Sequence, residues 1–298
     1  MSLSNCKVQT NDQGRELVEH GSALFPIACY KEDIALEPVP WHWHDEWEAI
    51  IIREGYAVIS IGSEKYKVMQ GEGIFINSGI LHAVCTDETS KCNIHSIVFQ
   101  PRLVGGSMDS IFWQKYVQPL LQNSLLKGIY LDGSTSWHQK IIDAVETSWT
   151  YVVSEQDGHE FQVRDTLSQM IFLLNKHCPF AENPPSEKEL RNAQRIKTML
   201  QYIQDHYSEE LNTYLIAQSI MVSESECLRC FHNTIGTTPI QYLKQFRIQK
   251  AADMLLSTNK KSGDIGAECG FGDTSYFTKT FREIKGCTPG EYRKKNIS

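Results

Sequence analysis

A chain of 298 residues with 41% hydrophobic and 22% charged residues is long enough for two domains, each with its own core. No apolar run is long enough to span a bilayer and no basic-apolar-small leader opens the chain, and nine cysteines at irregular spacing suit reduced thiols, so a soluble cytoplasmic protein is expected. The net charge of −7 divides unevenly: residues 1–185 carry 13 Lys/Arg against 23 Asp/Glu, whereas residues 186–298 carry 16 against 13, which leaves the last third weakly positive and suited to a salt-sensitive nucleic-acid contact.

Residues 1–19 are polar and carry no periodic pattern. From Phe25 the chain reads as short β-like runs with turn punctuation: Ala49 to Ile52 before Gly55, Tyr56 to Ile61 before Gly62-Ser63, Lys65 to Met69 before Gly71, and Ile74 to Ile76 before Ser78-Gly79. Such spacing predicts an antiparallel barrel or jelly roll. In the stretch WHWHDEWEAIIIREG, strand alternation places His42, His44 and Glu48 on one face and Trp41, Trp43 and Trp47 on the other. Together with Gly55 and Gly79-x2-His82 this resembles the two cupin motifs, with all four ligand positions (His42, His44, Glu48, His82) filled; Asn77 replaces the second motif's proline and Thr86 its asparagine. Three imidazoles and a carboxylate could hold a divalent Zn, Mn, Fe or Ni ion. The same residues could instead line a polar or sugar-binding wall; an effector pocket is assigned to the barrel as a whole, since Phe75 and Tyr56 each read as core before pocket.

Three helical segments are predicted next, Asp109 to Asn123, Ser134 to Ser154 and His159 to His177. Ile141, Ile142, Val145, Trp149 and Val152 form one stripe, and QMIFLLNKHC is apolar around most of its circumference and expected to be buried on two sides. Phe180 to Ser186, FAENPPS, reads as a linker stiffened by adjacent prolines. The expected domains are thus 1–178 for sensing and dimerisation, a linker over 179–187, and an all-α domain over 188–298.

The C-terminal third repeats itself. Shifted by fifty positions, Ser223, Phe231, Gly236, Thr238, Pro239 and Tyr242 fall on Asp273, Phe281, Gly286, Thr288, Pro289 and Tyr292. Each copy reads as an N-cap, three helical turns, a glycine suited to a left-handed helix end, and a Thr-Pro start to the next helix. Shorter helices precede them, Asn212 to Ile220 and Ser262 to Cys269, giving two helix-turn-helix motifs. The helix from Ile240 to Ser257 between them is about 30 Å long at roughly 1.5 Å per residue. That length matches a turn of B-DNA, about 34 Å. The lone Cys227-x2-Cys230 reads as core thiols rather than a zinc site.

The stretches IGAECGFGDTSYFTKTF, Ile265 to Phe281, and GCTPGEYR, Gly286 to Arg293, resemble the AraC/XylS family of bacterial transcriptional regulators; the likeness extends back through Arg247, Ala251, Ala252, Leu255 and Leu256 to about Arg195. It implies a DNA-binding regulator, not an enzyme, with an effector-sensing barrel, homodimerisation through the middle helices, and RNA polymerase as a further partner. Carried over residue by residue, the family's DNA-reading positions are Ser225, Leu228 and Arg229 in the first motif and Thr274, Ser275, Thr278 and Lys279 in the second. Met221 stands where glycine is common in the first turn, and Glu224 and Glu226 place acid beside phosphate. The alternative reading is a metal-dependent cupin enzyme with a DNA-binding tail.

Overall fold

The protein is represented by a computed structural model that describes residues 16, 18, 20–87, 91–179 and 187–297. Most of the polar N-terminal stretch and the double-proline segment 180–186 lie outside the described residues. Contacts divide the chain into two compact units that meet in sequence at Glu187 and Lys188.

The first unit is built on β1 (Ile27–Asp33), β2 (Val39–His42), β3 (Trp47–Ile61), β4 (Glu64–Met69), β5 (Gly73–Ile76), β6 (His82–Cys85), β7 (Cys92–Phe99) and β8 (Gly128–Leu131). Where the sequence suggests two runs broken at Gly55, the structure has one 15-residue strand, β3. Its first half pairs with β5 and β7, and its second half with β4 and β6. The pairing register shifts between Ile52 and Glu54, and Gly55 takes φ +75°, where a Cβ would lie 1.8 Å from the Lys91 carbonyl oxygen. Glycine therefore bends this strand from one sheet into the other rather than ending it. β1, β7 and β8 escaped the sequence reading.

Alternation along β3 supplies two cores. Ile50 and Ile52 point between the sheets, with Ile59, Ile61, Ile74, Ile76 and Ile94. Trp47, Ala49 and Ile51 point the other way, with Phe75, Ile97 and Phe99. Phe75 thus belongs to the outer core. Helices cover that outer face: α1 (Arg102–Gly105), a π-helical turn (Trp113–Val117) running into α2 (Gln118–Leu121), α3 (Ser136–Ser154) and α4 (His159–His177). Ile141, Ile142 and Val145 of α3 and Val163, Leu167, Met170 and Leu174 of α4 complete the core. α4 is covered on one side only, because Phe161 and Phe172 remain 79% and 53% exposed. Asn77 shows why proline is absent there. Its buried amide accepts from Trp47 Nε1 (2.7 Å) and donates to the carbonyls of Leu120 (2.8 Å) and Leu126 (2.9 Å), joining strand to helical cover.

The second unit is all helical: α5 (Glu187–Asp205), α6 (Thr213–Gln218), α7 (Glu224–Ile235), α8 (Pro239–Ser257), α9 (Ser262–Glu268), α10 (Thr274–Lys285) and α11 (Pro289–Ile297). The duplication is visible bond by bond. Ser223 Oγ caps α7 by accepting from Glu226 N, and Asp273 Oδ1 caps α10 by accepting from Tyr276 N. Gly236 and Gly286 close these helices at φ +73° and +70°. Thr238 with Gln241 and Thr288 with Glu291 form the reciprocal caps that start α8 and α11. Burial over 231–240 and 281–290 is identical residue for residue.

The copies differ in the turn. The left-handed residues are Met221 (φ 55°) and Gly270 (φ 80°), forty-nine positions apart, whereas the N-caps Ser223 and Asp273 are fifty apart. The second turn therefore holds one extra residue. Met221 is 92% exposed, so its side chain gains nothing from packing in return for the strained backbone. Gly270 is crowded, and a Cβ there would lie 2.7 Å from the Tyr207 carbonyl and 2.8 Å from Arg247 Nη2. Replacing Met221 with Gly should raise stability by up to about 1 kcal/mol, and Gly270→Ala should lower it by about 1–3 kcal/mol. Denaturant unfolding of the full chain, followed by helical circular dichroism, checks the opposite signs; two shifts in one direction would contradict the strain assignment.

Candidate nucleic-acid interface and barrel site

On α7 the buried stripe is Cys227, Cys230, Phe231 and Ile235; on α10 it is Phe277, Thr280, Phe281 and Lys285. The expected DNA-reading residues lie off these stripes. Ser225, Leu228, Arg229, Thr274, Ser275 and Lys279 are exposed and Thr278 is half-buried. α9 packs tightly beneath α10, for a Cβ on Gly266 would meet the Phe277 ring at 2.7 Å. Arg247 pins the loop leading into α6, donating from Nε to the Tyr207 carbonyl and from Nη2 to the Glu209 carbonyl, both at 2.6 Å.

The two motifs differ in the charge they offer. In the second, Thr274, Ser275, Thr278 and Lys279 line one open groove together with Arg282, Glu283 and Thr288, two cations against one carboxylate. Arg282 was missed by the sequence reading, although it stands four residues after Thr278, one turn along the same face. In the first, Glu226 takes Arg229 Nη2 at 2.5 Å and Arg195 Nη1, from α5, at 3.2 Å. The Arg229 hydrogen bond holds the Glu226 carboxyl below its usual range. Arg229 is thus tied along its own helix in the absence of DNA. With both side chains reached by water, solvent screening leaves the pair weak.

In the first unit the four cupin-type positions converge, by a different route from the one expected. His42 ends β2, His44 lies in the bend beyond it, and Glu48 belongs to β3, so they do not share one strand. The β2–β6 register sets His42 opposite His82. One ligand atom from each of His42, His44, Glu48 and His82 lies within 4.8 Å of all the others, and all four residues are buried. Glu48 Oε2 faces His82 Nε2 at 2.9 Å and His44 Nε2 at 3.3 Å, while its Oε1 accepts from Ser96 Oγ at 2.6 Å. Burial alone would raise the Glu48 carboxyl, but the His44 and His82 contacts outweigh it and hold it well below its usual range. Burial, assisted by His82, pushes the His42 imidazole down to about 3. Glu16 lies beside the set, its Oε2 3.2 Å from His20 Nε2 and 3.8 Å from His42 Nε2.

Three imidazole nitrogens and one carboxylate oxygen at this spacing suit a borderline divalent transition-metal ion. A space of about 20 Å³ adjoins His42, His44 and Glu48 and is lined also by Glu16, His20, Tyr30 and Ser96. That volume admits an ion or a water, whereas organic ligands of metabolite size need some 300 Å³ or more. The Tyr56 hydroxyl donates to Asp87.

Comparison with known proteins agrees with both units. Residues 25–134 match an AraC-like ligand binding domain and residues 216–295 a helix-turn-helix domain. The HTH-type transcriptional regulator YdeC of Bacillus subtilis (strain 168) is 31% identical over 285 residues, covering 95% of this chain and 96% of that protein. The HTH-type transcriptional activator RhaS of Shigella flexneri is 24% identical over 284 residues, covering 93% and 96%. Among solved structures, the C-terminal domain of the response regulator AraT from Geobacillus stearothermophilus is 30% identical, with a TM-score of 0.34, and covers 34% of this chain and 85% of that one. No helix among the described residues is long and apolar enough to cross a membrane. The chain belongs to the AraC family of transcriptional regulators.

Proposed function

We propose that the protein is a ligand-responsive regulator that binds a double-stranded operator as a homodimer, reads it chiefly through the second helix-turn-helix, and presents RNA polymerase with a surface only when so bound. The observation that carries this reading is the pair of capped helices α7 and α10, whose N-terminal turns are solvent-exposed and whose opposite faces are buried. α8, with 19 residues, is about 28 Å long at 1.5 Å per residue, a spacer suited to successive major grooves. Thr274, Ser275, Thr278, Lys279 and Arg282 supply hydroxyl and cationic donors to base edges and phosphates. In the first motif Ser225 and Leu228 supply a hydroxyl and a methyl contact, with Arg229 joining when Glu226 releases it. The enzyme alternative is disfavoured because the relatives that match nearly the whole chain are transcriptional regulators.

Selection of duplexes from a random pool with the full chain, followed by gel shifts, should enrich one motif. On that duplex Lys279→Ala should weaken binding more than Leu228→Ala and flatten the salt dependence by about one unit of log K against log salt; the reverse order would put the first motif in charge. Glu226→Gln should tighten binding by up to about fivefold, the equivalent of an exposed ion pair. That gain should vanish in an Arg229→Ala background, because the freed guanidinium is its source. Weaker binding by Glu226→Gln would mean that the carboxylate itself contacts a base.

For the homodimer, Phe161 and Phe172 offer the apolar surface. The eleven-residue separation is just over three helical turns, at roughly 3.6 residues per turn, so both lie on one side of α4. Phe172→Asp should convert a dimer at micromolar concentration into a monomer by light scattering while circular dichroism stays unchanged; an unaltered mass would place the interface elsewhere.

A further inference from the structure

We infer that Arg229, which the first motif holds against Glu226, passes on DNA binding to a backbone phosphate seated between α5 and α7, beside Lys188 and Asn192, and does not read a base; this rests on reading the chain as an operator-binding regulator. The groove between these helices has a volume of about 220 Å³ and is lined by Lys188 and Asn192 of α5 and by Glu226, Arg229, Asn233 and Thr234 of α7. That is below the roughly 300 Å³ at which small-molecule pockets begin, so the groove suits one group of a larger ligand. Arg195, also on α5, reaches Glu226 at 3.2 Å. Three cations thus surround one carboxylate, and the Glu226 carboxyl is held below its usual range by Arg229 first and then by Arg195 and Lys188. What remains is a surplus of positive charge beside neutral amide and hydroxyl donors, the complement of a phosphodiester.

A duplex phosphate is ordinarily favoured at a helix N-terminus, by the free N–H groups and the helix dipole. Glu224 and Glu226 put carboxylates in the first turn of α7, which makes that end unfavourable to an anion and leaves the groove beside the next turn as the nearest cationic surface. Arg229 stands at the junction. Ser225 lies four residues before it on the same exposed side, and its own side chain lines the groove. When Arg229 leaves, Glu226 keeps Arg195, so the phosphate meets a neutralised pair and not a bare like charge; Arg195 is in that sense a positioning residue. The second motif shows that the groove is no by-product of the fold. The buried positions Ile196, Met199, Leu200 and Ile203 of α5 repeat as Ile248, Ala251, Ala252 and Leu255 of α8, fifty-two positions on, while α7 repeats as α10 fifty on. The equivalents of Lys188 and Asn233 are therefore Ile240 and Glu283, one apolar and one acidic. Arg247, the equivalent of Arg195, is committed to the Tyr207 and Glu209 carbonyls. The phosphate-binding chemistry of this groove is thus private to the first motif, whose leading turn is otherwise acidic.

The test uses the full chain and a duplex selected from a random pool by the wild-type protein, in which single phosphates are replaced in turn by uncharged methylphosphonate linkages. The expected result is one linkage whose replacement weakens the wild-type chain at least about twofold more than the double variant Lys188→Ala/Arg229→Ala, the lower bound of coupling between groups in contact. Each single variant should flatten the dependence of log K on log salt by about one unit, and a repeated selection with it should recover the same base preferences. A preference relaxed at one base pair in Arg229→Ala, by the roughly 5- to 150-fold equivalent of a bidentate base contact, would overturn the proposal. So would a Lys188→Ala chain with unaltered affinity and salt slope. Lys188 is exposed, and circular dichroism checks that the variants stay folded. Inorganic phosphate, compared with chloride at equal ionic strength, separates DNA from a free anion: a Tm of the DNA-free chain that phosphate raises in the wild type but not in Lys188→Ala would assign the groove to a free anion and overturn its assignment to DNA. Absence of selective DNA binding by the wild-type chain would overturn the regulator reading and the phosphate site together, whereas selective binding without such a linkage would overturn the phosphate site alone.

Discussion

A helix can turn its first residues toward a partner only if the N–H groups it leaves there are already satisfied. In α7 and α10 that condition is met by one side chain each, Ser223 and Asp273. Everything else in the second unit follows from holding those two ends outward. Gly236 and Gly286 terminate the helices so that the chain can double back, Thr238 and Thr288 restart it, and the stripes around Phe231 and Phe281 press both helices onto α8 and α11. The caps set the direction, and burial supplies the energy.

These features were legible because they are local. A cap, a left-handed glycine and a proline at a first helical position each depend on a few neighbouring residues, and their recurrence at fifty positions made the reading robust. What was missed depends on residues far apart in the chain. Gly55 reads as a terminator by itself; only the Lys91 carbonyl across the sheet makes it a bend within one strand. β7 was missed because the strand is buried at most of its positions and so lacks a clear alternation. Phe75 reads as core from its type alone, but only the register with β3 shows that it faces the helices.

The barrel residues show the same division in one place. Their chemical types were evident from sequence, and their convergence was expected, yet the stated reason was mistaken. His42, His44 and Glu48 meet because a strand ends, bends and hands over to β3, not because they alternate along one strand. The lumen's size could not be read at all, since it is set by Ile50, Val84, Ile94 and Val98, which arrive from three different strands.

The two motifs were duplicated but have not kept equal parts. The second has an extra turn residue, a glycine that relieves backbone strain, and a groove with two cationic side chains beside its hydroxyls. The first retains Met221 in a left-handed conformation and spends its one recognition-helix arginine on Glu226. Because a strained turn and an internally neutralised face both weaken an isolated contact, the first motif gains most when the second has already fixed its position on the duplex. Binding would then be ordered: the second motif supplies the grip, and the first adds discrimination at the effective concentration that α8 imposes. In such an arrangement a sensor need not create a DNA-binding surface. It has only to shift how often the weaker helix reaches its groove, and a difference of about 1 kcal/mol at that step changes occupancy roughly fivefold.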